Sequence, residues 1–142
     1  MYTLTGEDVA EGRKFDDVVS CGYFPIDIHN PNGAEGYRQD GQGGHWIDLK
    51  DTYDIPLRCL VPANIDGIVL SCRCISGTSQ AHGSYRTQGG IMGISQASGV
   101  VAGLCAIQGS SRVKLTSRRY RISCWRSALH FGAINLSPVA MF

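Results

Sequence analysis

No acidic residue occurs after Asp66. All 12 acids lie in residues 1–66 beside five Lys or Arg, a formal balance of −7, whereas residues 67–142 carry eight Lys or Arg and stand at +8. Halves of such different sign predict two structural settings. The chain also lacks an apolar run at its start. Met1 to Arg13 carries Glu7, Asp8 and Glu11, which excludes a secretory signal in the sequence as it stands. No Cys-x-x-Cys pair occurs among Cys21, Cys59, Cys72, Cys74, Cys105 and Cys124. A zinc or iron–sulfur site needs four ligands on turn-forming spacing, so no metal site is expected. Reduced, buried thiols of a cytoplasmic protein are expected instead. Catalytic templates are missing as well: there is no G-x-S-x-G, no H-E-x-x-H, no Walker A and no G-x-G-x-x-G.

What is present suits one domain's length. The 142 residues are 43% apolar and 18% charged, enough to build a core and too apolar for wholesale disorder. The 18 glycines exceed the roughly 10 of average usage and lack a G-X-Y period. They point to tight turns and close backbone packing rather than collagen.

Residues 1–20 read as a short helix or the approach to a strand. Residues 21–33, CGYFPIDIHNPNG, read as an extended segment closed by a turn at Pro31 and Asn32-Gly33. Residues 33–46 read as a loop. Residues 53–62, YDIPLRCLVP, look extended and proline-bounded, which suits an edge strand or an irregular rim. The apolar run in Ile65 to Cys72 follows Asp66-Gly67 and predicts a fully buried strand. On such a strand Cys72 and Cys74 would share one face. RCISGTSQAHGSYRTQGG then reads as a loop of small and polar residues.

From about Gly90 to Gln108 the pattern predicts a helix that is apolar all round and therefore buried. Ser95, Gly99 and Gly103 recur every four residues and would let another backbone approach closely. A membrane span is the rival reading. The stretch Ile91 to Ile107 is short of the roughly 20 residues a span needs, and it contains Ser95, Gln96 and Ser98. No membrane association is expected. The tail from Arg112 carries six Arg or Lys and no acid. SRRYR and CWRSALHF could form a basic, aromatic nucleic-acid patch, or a solvated tail.

Three places could carry chemistry. Gly41-Gln42-Gly43-Gly44 lacks a following helix and is a weak phosphate-loop candidate. Asp27 and His29 stand two apart in an extended segment and share a face, either as an acid/base pair or as a hydrogen-bonded turn. The third is strand–loop–helix from Ile68 to Gln108. Its loop carries Arg73, Ser76, Thr78, His82, Ser84 and Arg86, and its helix begins near Gly89-Gly90. Free amides and the positive helix end would face whatever the loop encloses. Such an arrangement suits a phosphate or an electron-rich ring system, or else a glycine-rich packing turn.

DGIVLSCRCISGTSQAHGSYRTQGGIMGISQASGVVAGLCA resembles the C-terminal signature of a family of FAD-dependent oxidoreductases: a hydrophobic strand, G-R-x-I-S, a small loop, G-S-x-R, and a helix with G-Q-A-A-G-x-A-A. GYFPIDIHNPNG resembles that family's Y-P-I-D-I-H-x-P-x-G, and YDIPLRCLVP its Y-x-I-P-Y-R-C-L-x-P. The resemblance spans about Val18 to Gln108, in the family's order.

The resemblance implies an α/β fold: the C-terminal part of a Rossmann-like FAD-binding domain of the glutathione-reductase type, with part of a cap or substrate region. Residues 1–62 would end the cap, 63–111 would be the returning strand and last helix, and 112–142 a basic tail. Arg73, Ile75 and Ser76 would lie along the FAD. Gly83, Ser84 and Arg86 would line the loop beside the isoalloxazine ring, and Gly90 and Gln96 would open the last helix. Asp27 and His29 would lie on the side of a small-molecule substrate. An iron–sulfur cluster could belong only outside this chain.

The sequence departs from the family at several points. Its Gly before Arg73 is Cys72, whose side chain would crowd the cofactor. A frequent His is Ser79, with His82 nearby, and the Gly before Gln96 is Ser95. The family's G-x-G-x-x-G lies upstream of the matching region. The expectation is therefore a C-terminal fragment of a flavoenzyme, from a split or broken gene, with a tail in a shifted frame. Alone it would bind FAD weakly or not at all and would oligomerise, its partner being the missing N-terminal FAD-binding portion. The alternative is a non-catalytic module that binds nucleic acid or protein through Arg118, Arg119 and Arg121.

Overall fold

The computed structural model describes residues 1–29, 44–107 and 109. Within them the helix and strand content is mixed, as an α/β protein requires. Helix α1 (Gly6–Ala10) opens on a capping box. The Asp8 amide donates to Thr5 Oγ1 at 3.1 Å, and the Thr5 amide donates to Asp8 Oδ2 at 2.9 Å. Five residues are too few for a stable helix alone, so this cap and the contacts beneath it hold the turn.

Two antiparallel ladders follow. Strand β1 (Val18–Gly22) pairs with β4 (Tyr53–Pro56), with an irregularity between Val18 and Ser20. Strand β2 (Ile26–His29) pairs with β3 (Gly44–Ile47). Gly22 stands opposite Tyr53, where a Cβ would fall 2.3 Å from the tyrosine ring, so only glycine lets the ring fold back across β1. The expected loop over 33–46 thus ends in a strand at Gly44–Ile47, because Trp46 and Ile47 pair with the apolar β2. Residues 30–43 lie outside the described ones.

Two antiparallel pairs would be marginal on their own. They are joined by a seam to the chain's later half. The Leu4 amide donates to the Ser76 carbonyl at 3.0 Å, and the Thr78 amide donates to the Leu4 carbonyl at 2.8 Å. Leu4 and Gly77 thereby form a parallel bridge. Beside it, the Ser76 amide donates to the Cys59 carbonyl at 2.9 Å. One core results, drawing Leu4, Val9, Ile26, Tyr53, Ile55 and Leu60 from the first half and Ile75, Tyr85, Ile94 and Val101 from the second.

The second half departs from expectation in four ways. No strand forms over Ile65 to Cys72; Ile65 and Ile68 are 56% and 50% exposed. A parallel strand needs neighbours along both edges. This run touches the rest of the chain at Leu70, whose amide donates to the Leu60 carbonyl at 2.7 Å and whose carbonyl accepts from Ser98 Oγ at 2.7 Å, without forming a ladder. Cys72–Cys74 is instead a 3₁₀ turn, so the two thiols do not alternate along a strand. The expected loop holds helix α2 (Ser79–Tyr85), N-capped by Thr78 Oγ1, which accepts from the Ala81 amide. Glycine at 83 lowers the intrinsic helix propensity of this stretch. A Cβ there would lie 2.9 Å from the Asp27 carbonyl oxygen, so packing against β2 outweighs the helix cost.

Helix α3 (Gln88–Ile107) matches the expected span closely but is not buried all round. Only Ile94, Ala97, Ser98 and Val101 are covered, while Met92 and Ile107 are 72% and 83% exposed. Gly99 and Gly103 face open space among the described residues. At 20 residues the helix is long and apolar enough to cross a membrane, which removes the length objection. Its covered side packs on β1 and on the 3₁₀ turn.

The thiols also differ from expectation. Cys59 is buried, and burial pushes its thiol up to about 11. Cys21, Cys72 and Cys74 are exposed. Cys124 and the basic tail, with Arg118, Arg119 and Arg121, lie outside the described residues, as do Gly41, Gln42 and Gly43.

Candidate functional site

The turn between α2 and α3 brings two cations to one place. An open cleft of about 640 Å³ is lined by Arg73, His82, Arg86, Thr87 and Gln88. His82 and Arg86 are four residues apart on α2 and its C-cap, hence on one face. Arg73 reaches the cleft from the 3₁₀ turn, where its Nε donates to the Arg86 carbonyl at 3.1 Å. This bond satisfies a carbonyl at the α2 C-terminus and ties the two arginines together. Gln88 starts α3, whose first-turn amides and positive dipole end add to the same field. Gly89 has nothing within 4 Å of a notional Cβ, so its backbone is open to approach.

His82 stacks edge-on against Tyr85 at 5.3 Å. Burial, and then the charges of Arg86 and Arg73, hold its imidazole below the ordinary histidine range. The ring therefore favours its neutral form beside the two guanidiniums. The cleft suits an anion or an electron-rich ring.

A second cluster adjoins the first through Arg86. Its Nη2 lies 3.7 Å from Asp27 Oδ2 and donates to the Asp27 carbonyl at 3.3 Å. The same Oδ2 lies 3.5 Å from His29 Nε2. Strand parity explains the pairing: Ile26 is buried and Ile28 half-buried on one face of β2, which leaves Asp27 and His29 together on the other.

The residues singled out from the sequence thus divide. Arg73 and Arg86 line the cleft, and Asp27 and His29 stand beside it. Ile75 is buried in the core. Ser76 Oγ pairs with Thr3 Oγ1 at 2.9 Å, in the seam with the N-terminus. Ser84 is fully buried; its hydroxyl is 2.7 Å from the Tyr53 hydroxyl and donates to the Phe24 carbonyl. Gly83 packs on β2, and a Cβ at Gly90 would sit 2.8 Å from the Tyr85 carbonyl oxygen, so both shape the turn rather than line the cleft. Gln96 is exposed, eight residues into α3, or roughly 12 Å along its axis from the cleft end.

Thr87 and Gln88 had no sequence signal of their own. His82 already stands among the loop residues named from the sequence, and α2 adds its i, i+4 spacing to Arg86. Two departures from the family pattern meet here as well. Cys72 takes a left-handed φ of 55°, and its Sγ lies 3.1 Å from Ser95 Oγ, which also donates to the Ile91 carbonyl. Among the described residues no group of three or more His, Cys, Asp or Glu could hold a metal ion.

The model of the family described as FAD dependent oxidoreductase matches residues 1–121. No curated protein and no solved structure matches the chain.

Proposed function

Because the chain belongs to the family of FAD dependent oxidoreductases, we propose that it supplies the flavin-facing loop and last helix of such an enzyme, as the C-terminal part of a Rossmann-like, glutathione-reductase-type FAD domain. The observation that carries this reading is the cleft lined by Arg73 and Arg86 at the start of α3. Its donor set fits the flavin: two fixed cations, a neutral imidazole and an open glycine backbone suit the electron-rich end of an isoalloxazine.

FAD, when bound, supplies the two-electron acceptor that no side chain here provides. The residues of this chain do the rest. Arg73, Gln88 and the first turn of α3 hold and orient the ring and stabilise negative charge that collects on it. His82 donates or accepts a hydrogen bond without adding charge. Gly83, Ser84 and Gly90 fix the turn that aims them. Asp27 and His29 lie on the substrate side. Residues 1–62 belong to the cap region and 63–111 to the returning part of the FAD domain.

The exposed Ile65 and Ile68 and the open side of α3 support a further portion of the FAD domain as the covering partner. We expect the assembled enzyme in the cytoplasm, acting on a small molecule.

The test is a titration of the full chain with FAD, followed by flavin fluorescence. We expect weak, saturable binding that Arg73→Ala weakens about tenfold, the size of one lost charged hydrogen bond. Identical binding by the variant, or no saturable binding by the native chain, would remove the cleft from the cofactor site.

A further inference from the structure

Arg86 faces two ways. One side of it lines the cleft, and the other holds the carboxylate that sits beside His29. We propose that Arg86 is a positioning residue for proton transfer at His29, acting through Asp27, and that the group His29 serves is the hydroxyl of an uncharged substrate. The proposal rests on the functional reading above for its electron acceptor, but its geometry stands apart from any flavin contact.

Asp27 and His29 share one strand, whereas Arg86 comes from the distant C-cap of α2, so its meeting with them is a product of the fold. Gly83 lets α2 sit directly on the Asp27 backbone, where any Cβ would come within 2.9 Å of its carbonyl oxygen. That close approach delivers Arg86 to the same residue. One guanidinium nitrogen then spans the Asp27 carbonyl at 3.3 Å and its Oδ2 at 3.7 Å, which fixes the carboxylate. Arg73 braces Arg86 from behind through its backbone carbonyl.

Asp27 Oδ2 is consequently shared by a permanent cation and an imidazole. The side chains of Asp27 and Arg86 are 31% and 36% exposed, whereas His29 is 73% exposed, so the device is held at one end and reachable at the other. With Nε2 turned to the carboxylate at 3.5 Å, the tautomer of His29 that carries its proton on Nε2 presents the Nδ1 lone pair to solvent. A carboxylate on the far nitrogen makes an imidazole a better base. Arg86, drawing on the same oxygen, moderates that push.

Trp46 stands directly across the ladder from Asp27 and is 59% exposed. Its Nε1 donates to Asp48 Oδ1 at 2.9 Å, and its ring meets Phe24 edge-on at 5.9 Å, so it is a braced aromatic surface beside the base. Asp27 and Arg86 cancel each other's charge. An aromatic surface, a neutral ion pair and an outward lone pair suit an uncharged substrate with an apolar face and an O–H group. In the step, the O–H bond breaks and its proton passes to His29 Nδ1. The oxygen electron pair becomes the second bond of a carbonyl, and the C–H bond breaks with its electron pair going as hydride to an acceptor of the flavin class.

The test needs no turnover. Diethyl pyrocarbonate acylates neutral imidazole at its free nitrogen, and peptide mapping at fixed alkaline pH reads His29 separately from the other histidines. His29 is already largely exposed, so its rate reports nucleophilicity rather than access. We expect Asp27→Asn to slow His29 about threefold or more, Arg86→Gln to speed it about twofold, and Arg86→Gln to do nothing in the Asp27→Asn background. Arg86→Lys, which keeps the charge, should stay near the native rate. Equal acceleration by Arg86→Lys, or an Arg86→Gln effect that survives without Asp27, would overturn the proposal. Arg73→Ala separates the two readings: it should weaken flavin binding, while the Asp27-dependence of the Arg86→Gln effect on His29 persists in its background. A chain that fails to bind flavin but shows the Asp27-dependent pattern would sink the cofactor reading alone.

Discussion

Residues 1–60 and residues 63–107 are held by different means. The first region closes its polar groups on themselves. The Asp8 carboxylate, 2% exposed, accepts from the Tyr2 hydroxyl at 2.7 Å, from Arg13 Nη1 at 2.8 Å and from the Thr5 amide. The second region has few such closures and spends its apolar residues unevenly: Ile94 is fully buried, while Ile65, Ile68, Met92 and Ile107 face outward. Apolar groups stay open in both regions, Tyr23 and Trp46 in the first and Ile65, Ile68, Met92 and Ile107 in the second. In the second, Met92 and Ile107 stand on the same helix whose other side is anchored by Ile94 and Val101. The site sits where the two meet, with Asp27 and His29 from the first and Arg73, His82 and Arg86 from the second.

Substitutions can sharpen this contrast. Ile94→Ala removes a fully buried side chain and should cost about 2–5 kcal/mol in a denaturant melt. A smaller cost would mean that α3 is not anchored through that face. Asp8→Asn strips a buried carboxylate of its charge-assisted bonds and should cost about 1–3 kcal/mol.

The native chain should also show the Asp8 carboxylate in its acid unfolding. Burial alone would push the Asp8 carboxyl up, but hydrogen bonds from Tyr2, Thr5 and Arg13 hold it below the ordinary range. Folding therefore favours the charged form. Its contribution is whole above about pH 4 and is lost as the pH falls through the lowered value. A Tm-against-pH curve for Asp8→Asn that keeps the full native acid slope would refute this assignment.

Two smaller effects belong to the second region. Cys72 occupies a left-handed conformation that favours glycine, so Cys72→Gly should stabilise by up to about 1 kcal/mol, less whatever the Ser95 contact returns. A clear loss of stability would show that the thiol–hydroxyl contact outweighs the strain. Ile68→Ala, at a half-exposed position, should change stability by no more than about 0.5 kcal/mol. A cost near that of Ile94→Ala would mean that Ile68 is covered in solution, and the comparison between the two regions would collapse.

Much of the architecture was legible in local pattern. The extended character of β2 and β4 and the span of α3 follow from apolar spacing and from proline. The family resemblance rested on ordered motifs between Val18 and Gln108. Helix α2 was not legible, because Gly83 and the serines around it carry weak propensity and its stability comes from packing on β2. The apolar run at Ile65 to Cys72 misled for the opposite reason. Its composition suits a buried strand, but strand formation needs partners that composition does not supply.

The site divides along the same line. Local sequence determined that Asp27 and His29 share a face, since strand parity is a two-residue property. It determined that Arg73 and Arg86 flank one small-residue stretch, since both stand in it. Only tertiary structure decided that Arg86 holds Asp27, that Ser84 turns inward to Tyr53, and that Ile75 belongs to the core. Those outcomes depend on which backbones can approach each other. That is settled by missing side-chain volume at Gly22 and Gly83 and by a shared core, neither of which any single segment contains.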